Sequence, residues 1–363
     1  MTSNSHARPR PFGRRADQSR PEAAQQPVIV NSEQPEGTSL VQADSLATTG
    51  PLSIADIARR IHRSMSMVVA GKSDAINASI MTLLAGGHLL IEDVPGVGKT
   101  TLATVLARSI EAGVRRIQFT ADMMPTDVTG LSIYDQQEQK FRFHQGPIFT
   151  NIVIADEINR ATPRTQSALL EAMEERRVSV DGQTLRLPDP FMVAATQNPQ
   201  DMEGTFPLPE AQRDRFMARI QLGYPAAEAE LAMLQDRAGD NPMASVSPVT
   251  NTAQILDAQR AVARIHMADE VSRYLIAIVS ATRSHSGITL GASPRATLHL
   301  ARMARARAAM NDHPFVSADD VAALAGIVLP HRLIVRGRFS SMSDALLRSS
   351  EIVGEIVART PLR

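Results

Sequence analysis

The 363-residue chain has no cysteine, which excludes disulfides, thiolate metal sites and thiol nucleophiles. Lysine is almost missing: only Lys72, Lys99 and Lys140 occur among 38 basic residues, and the rest are arginine. The same number of acidic residues, 38, cancels them. With no net positive field, the sequence argues against a protein that coats nucleic acid. The nine histidines include no HExxH or comparable ligand spacing. No apolar run approaches the roughly twenty residues needed to cross a bilayer, and the N-terminus has no apolar signal core. These absences predict a soluble, cytoplasmic protein, long enough for two domains and a substantial core.

Composition divides the chain in three. Residues 1–50 are rich in Pro, Ser, Gln, Thr and Glu and poor in bulky apolar residues, so they are expected to be a disordered tail. Over 51–222, apolar strand-like runs alternate with helical stretches. The strands are expected at Leu89–Glu92, Arg115–Thr120, Asn151–Ala155, Phe191–Thr196 and Ala218–Leu222. Such alternation predicts an α/β domain with a mainly parallel sheet covered on both faces, whose ligands bind beyond the carboxyl ends of the strands. Two hairpins interrupt it, one within 126–149 and one over 177–188, where Asp181-Gly182 separates two alternating runs. From 223 to 363 helical periodicity dominates, over Glu228–Arg237, Ile255–Ile265, Glu270–Arg283, Pro294–Met310 and Ala318–Leu329, with Ser343 as the expected cap of a last helix. This predicts an all-helical second domain.

Three strand ends carry chemistry. After Leu89–Glu92 comes the turn Pro95-Gly96-Val97-Gly98-Lys99-Thr100-Thr101, leading into a helix. Backbone N–H groups of such a turn wrap a phosphate chain, and the helix N-terminus adds positive charge. Lys99 reaches the outer phosphates and Thr100 can ligate Mg²⁺. A lone lysine in so arginine-rich a chain fits a point-charge role. The strict phosphate-loop pattern asks for glycine where this chain has Asp93. A second GKS, at Gly71-Lys72-Ser73, has no strand before it and reads as a turn opening a helix. The apolar run Asn151–Ala155 ends in Asp156, suited to hold Mg²⁺, and Glu157, suited to polarise water. The run Phe191–Thr196 ends near Asn198, whose carboxamide can bond the γ-phosphate and the lytic water. Hydrolysis of a triphosphate also needs positive charge on the migrating phosphoryl group, and Arg215 and Arg295 are placed to supply it.

These motifs, in this order, resemble those of the MoxR family of AAA+ ATPases. The resemblance rests on AGGHLLIEDVPGVGKTTLA (85–103), IQFTADMMPTDVTG (117–130), GPIFTNIVIADEINRATPRTQSALLEAMEERRVSV (146–180), ATQNPQDMEGTFPLPEAQRDRF (195–216) and GASPRA (291–296). It implies a five-stranded αβα nucleotide domain, with a helix-2 insert at about 126–149, a pre-sensor hairpin at about 177–188, and a helical lid. Lys99 and Thr100 would be Walker A, and Asp156 and Glu157 Walker B. Asn198 would be sensor 1, Arg295 sensor 2, and Arg215 the arginine finger, with Arg213 as the other candidate. Val69 and Gly71 would sit beside the adenine. ATP and Mg²⁺ would bind between sheet and lid, where Asn198 and Arg295 sense the γ-phosphate and a neighbour donates Arg215. The resemblance further implies a homo-oligomeric ring, expected to be a hexamer, that matures or activates protein clients with a von Willebrand factor A domain partner. Two alternatives keep the same site: a DNA-translocating motor, and a nucleotide-gated scaffold with little turnover.

Lys99→Ala is expected to abolish nucleotide binding, measured by titration with a fluorescent ATP analogue. Retained tight binding would remove the phosphate-loop assignment.

Overall fold

The computed structural model describes residues 53–198, 205–225, 227, 231 and 242–362. The expected tail over 1–50, most of the expected helix Glu228–Arg237 and the expected break at 239–242 lie largely outside these residues. Two helices come first, α1 (Ile54–Ser66) and α2 (Ser73–Leu84). The GKS tripeptide at 71–73 indeed opens a helix, with Lys72 at its N-cap. Next are β1 (Leu89–Glu92), α3 (Lys99–Ser109), β2 (Val114–Gln118), the short α4 (Pro125–Thr129), and the hairpin β3 (Gly130–Asp135) and β4 (Lys140–Gln145). Then come β5 (Ile152–Asp156), α5 (Pro163–Glu175), the hairpin β6 (Arg177–Val180) and β7 (Gln183–Arg186), β8 (Met192–Gln197), α6 (Glu210–Arg213) and β9 (Ala218–Ile220).

Strands β2-β5-β8-β1-β9 form one five-stranded sheet, parallel throughout. β1, β5 and β8 are buried along their whole length. That is why they read as unbroken apolar runs: each face of a doubly covered sheet needs its own apolar side chains. Alternate residues serve opposite faces. Leu89, Ile91, Ile152 and Met192 join the cluster containing α1, α2 and the C-terminal helices, whereas Leu90, Val153 and Val193 join the one built on α5. β2 is an edge strand, and its Arg115 and Arg116 are exposed.

The hairpins are as the turn chemistry requires. Asp181 and Gly182 take positive φ between β6 and β7. The β3–β4 hairpin stands off the main sheet, and its Leu131, Ile133, Tyr134 and Phe141 are exposed, Phe141 by 73%.

Beyond β9, helices α7 (Thr252–Ala263), α8 (Asp269–Ser284), α9 (Pro294–Met310), α10 (Ala318–Val328) and α11 (Met342–Arg359) dominate. The region is helical, but two tiny strand pairs join the helix ends: β10 (His266–Met267) with β12 (Phe315–Val316), and β11 (Ile288–Leu290) with β13 (Ile334–Val335). Two or three residues leave no alternation to read in a sequence. The last helix is capped by Ser341, not Ser343: the Ser341 hydroxyl accepts from the Asp344 amide. Residues from Gly50 onward make one compact unit, and a single apolar cluster runs from α1 through the sheet face to α11.

His88 opens β1 and is buried. Its Nε2 donates to the Met173 carbonyl (3.0 Å), and its Nδ1 accepts from the Val193 amide (3.0 Å). Burial, only partly opposed by the Met173 bond, lowers its pKa from 6.5 to about 4. The unfolded chain therefore binds a proton over that range that the folded chain does not, so stability is full above pH 6.5 and falls as pH drops toward 4. Buried His331 shifts the same way. Each such buried imidazole is expected to contribute about 2 kcal/mol to the stability lost in urea unfolding between about pH 7 and about pH 5, and His88→Gln should remove its own share and leave the rest.

Candidate functional site

Because the sheet is parallel, the carboxyl ends of β1, β5 and β8 lie on one edge. From β1 the chain turns through Pro95-Gly96-Val97-Gly98 into α3, whose first residues are Lys99, Thr100 and Thr101. Gly96 and Gly98 have φ of 85° and 93°, a left-handed backbone that side-chain-bearing residues resist. The Lys99 ammonium donates to the Asp93 and Val94 carbonyls, the latter at 3.0 Å. Burial lowers its pKa, against the pull of Asp93, Asp156, Glu157 and Glu92.

Asp93 occupies the place where the strict pattern asks for glycine. Its carboxylate is buried and accepts from three backbone amides: Val94 (2.8 Å), Leu222 (2.7 Å) and Gly223 (2.6 Å). The departure is thus a tie between the loop after β1 and the segment after β9. Lys72 reinforces it by donating to the Gly223 and Tyr224 carbonyls (3.2 and 2.7 Å). This brings Gly71, in a left-handed turn (φ 72°), and Val69, which is buried, toward the same side of the molecule as the loop. One residue earlier, buried Glu92 is held by Arg219 and by the Gln197 amide (2.5 Å).

Asp156 draws the strand ends together. Its Oδ2 accepts from the Thr100 hydroxyl (2.9 Å) and from Arg116 Nη2 (2.6 Å) on edge strand β2, and its Oδ1 from the Thr196 hydroxyl on β8. Burial pushes its pKa up, but the bonds from Thr196, Arg116 and Thr100 outweigh that and hold it below the usual carboxylate range. Glu157 follows in a left-handed conformation (φ 55°), its amide bonded to the Thr196 hydroxyl (3.0 Å). Its carboxylate meets Arg160 (2.9 Å) and Gln118 (3.2 Å). Asn198 follows β8, and its carbonyl accepts from Asn159 (3.2 Å). Lys99, Thr100, Asp156, Glu157 and Asn198 thus share one edge of the sheet. Thr196 and Arg116, which sequence reasoning missed, bind its central carboxylate.

The arginines lie elsewhere. Thr162 caps α5 just after β5, Pro163 starts it, and the helix runs back along the sheet to end at Glu174-Glu175. The bond from His88 to Met173 places that end beside the start of β1. Glu174 there takes Arg215 on one oxygen (3.3 Å) and Arg295 on the other. These side chains, with Arg176 and Arg302, border a cavity of about 220 Å³. The whole length of β1, about 13 Å, separates this edge from the phosphate loop. Arg295, expected in the cleft with Lys99, is instead a neighbour of Arg215. The reason is that the N-terminus of α9 is docked on Asp214: Ser293 caps α9, and its hydroxyl lies 3.0 and 2.9 Å from the Asp214 oxygens. The geometry also separates Arg213 from Arg215. The Arg213 side chain is 10% exposed and tucked inward, whereas Arg215 is 28% exposed and faces the cavity. A larger cavity, about 1140 Å³ between α1, α2 and α10, includes none of the phosphate-loop residues.

No cluster of three or more His, Asp or Glu side chains suited to a metal occurs among the described residues. The Thr100 hydroxyl and the Asp156 carboxylate, 2.9 Å apart, are hard oxygen donors. Such a pair fits an ion that takes one or two protein oxygens and draws the rest from phosphate and water, as Mg²⁺ does. No described helix is long and apolar enough to cross a membrane.

Comparison with known proteins agrees with this fold. Residues 88–218 match the family model described as ATPase family associated with various cellular activities (AAA), and residues 280–355 match the AAA lid domain. The chain is 47% identical to the uncharacterized protein YeaC of Bacillus subtilis (strain 168), over 75% of this chain and 85% of that one. It is 38% identical to Chaperone MoxR1 of Mycobacterium tuberculosis, over 81% and 78% respectively. A crystal structure from Cytophaga hutchinsonii superposes with a TM-score of 0.76 at 34% identity, covering 85% of this chain and 96% of that one.

Asp93→Gly restores the glycine of the strict pattern but strands the buried Leu222 amide and the half-buried Gly223 amide after β9. It is expected to cost about 3 kcal/mol, read as a lowered urea midpoint. Unchanged stability would show that the tie carries no energy.

Proposed function

Because the chain belongs to the MoxR family of AAA+ ATPases and hydrolyses ATP, we propose that hydrolysis occurs at the Lys99–Asp156 edge of the sheet, completed by arginines from a second copy of the chain, and that it drives maturation or activation of protein clients. The observation that carries this reading is the pairing of Arg215 with Arg295 at the opposite edge from the phosphate loop. Two catalytic-type cations that cannot serve their own chain's loop are available to a neighbour's. That favours a ring, in which every loop faces a neighbour's arginine edge.

In this reading the loop amides of Gly96–Thr101 and the start of α3 hold the phosphates, and Lys99 leaves its loop carbonyls for the outer ones. Thr100 and Asp156 would hold Mg²⁺, which when bound would supply positive charge to neutralise the phosphate chain. The low pKa of Asp156 keeps it anionic for that purpose. Glu157 orients and deprotonates the attacking water, and Asn198 positions it. The partner copy's arginines meet the charge that develops on the phosphoryl group. Val69 and Gly71 border the adenine. The exposed apolar hairpin β3–β4 is the surface for a client, and family membership supports a von Willebrand factor A domain partner.

Glu157→Gln is expected to keep ATP binding and lose at least about a hundredfold in turnover. Arg215→Ala and Arg295→Ala are each expected to bind ATP normally and fall by about a thousandfold in turnover. Mixing Glu157→Gln subunits with Arg215→Ala subunits should restore phosphate release, because the former donate arginines to the intact pockets of the latter. A mixture as silent as its parts would return the arginines to their own chain's site.

A further inference from the structure

The two arginines sit on different parts of the chain: Arg215 just before the last sheet strand, Arg295 on the first turn of α9 in the helical region. Both must reach one phosphoryl group if both are to act, so something has to fix their separation. The residue between the two parts is Asp214. Its Oδ2 takes Arg295 (3.2 Å), its Oδ1 takes Arg332 (2.7 Å), and the Ser293 hydroxyl lies against both oxygens. It is the chain neighbour of Arg215, and its own backbone carbonyl accepts from Arg332 (3.0 Å). Arg332 is 1% exposed and spends its remaining donors on the Val328 (2.7 Å), Phe216 and Met217 (3.3 Å) carbonyls and on His299 Nδ1 (2.7 Å). Every one of these partners belongs either to the segment joining Arg215 to β9 or to the helical region carrying Arg295.

We propose that Asp214, clamped by buried Arg332 and by the Ser293 cap, is the positioning residue that sets Arg215 and Arg295 as one rigid pair toward the neighbouring subunit's triphosphate. This rests on the trans reading above. Asp214 itself faces its own arginines and not the phosphates; Glu174 bridges the two guanidiniums from the far side. The clamp has a geometric purpose, because a misplacement of about 1 Å in a catalytic group costs up to a hundredfold in rate. A carboxylate held by three side chains is a stiffer mount than two separate surface arginines.

The test uses the mixture of full-length Glu157→Gln donor and Arg215→Ala acceptor. Adding Asp214→Asn to the donor is expected to lower the mixed rate about tenfold or more, while the donor's affinity for a fluorescent ATP analogue, read at its own pocket across the sheet, stays within about twofold. The same substitution placed in the acceptor, whose Arg215 is already gone, should change the mixed rate far less. An unchanged rate with the altered donor, or equal losses from donor and acceptor, would overturn the proposal. If the Asp214→Asn donor does not fold, Ser293→Ala in the donor decides: a loss of a few-fold supports the clamp and an unchanged rate removes it. A parent mixture that is itself inactive refutes the trans reading, and the clamp with it.

Discussion

The phosphate-loop edge of the sheet depends on the carboxylate of Asp156. One side chain accepts from α3 through Thr100, from β2 through Arg116 and from β8 through Thr196. Three segments far apart in sequence are thereby held at one point, and Thr196 extends the arrangement to the Glu157 amide. Buried ionised groups are tolerated only when so fully bonded. The bonds that satisfy Asp156 folded are also those that keep it charged at neutral pH. Stability and site chemistry draw here on the same contacts, so weakening one weakens the other.

Much of this edge was legible in the sequence because its signals are local. Gly96 and Gly98 announce a backbone turn, the apolar runs of β1, β5 and β8 announce doubly covered strands, and each motif stands at a strand's end. The parallel sheet and the two hairpins followed from that, and the family from the resemblance of its motifs. What stayed hidden depends on distance across the chain. Asp93 read as a flaw in a pattern, and only the amides of Leu222 and Gly223 show it to be a tie. Thr196 and Arg116 look like ordinary strand residues until the register sets them around Asp156. Arg295 was misplaced for the same reason: where a helix N-terminus docks depends on Asp214 and Arg332, more than 35 residues away on either side.

The two edges of the sheet are built differently. Around the phosphate loop, left-handed glycines stand beside the carboxylates of Glu92, Asp93, Asp156 and Glu157, each held by hydrogen bonds from its surroundings. At the other edge, guanidiniums of Arg176, Arg215, Arg295 and Arg302 gather around Glu174 and a small cavity. Arginine suits that edge, since its planar, permanently charged fork engages carboxylate and phosphate alike. Of the three lysines in the chain, one, Lys99, stands at the glycine turn after β1.

The uninterrupted apolar cluster from α1 to α11 has a mechanical consequence. Swinging the helical region away would open its packing against α1, α2 and β9, at roughly 25 cal/mol for each Å² uncovered. Such a swing is costly, whereas sliding one whole subunit against the next disturbs none of this core. In the ring we propose, work extracted from ATP is therefore delivered at the seams between copies, each protomer turning as a solid block.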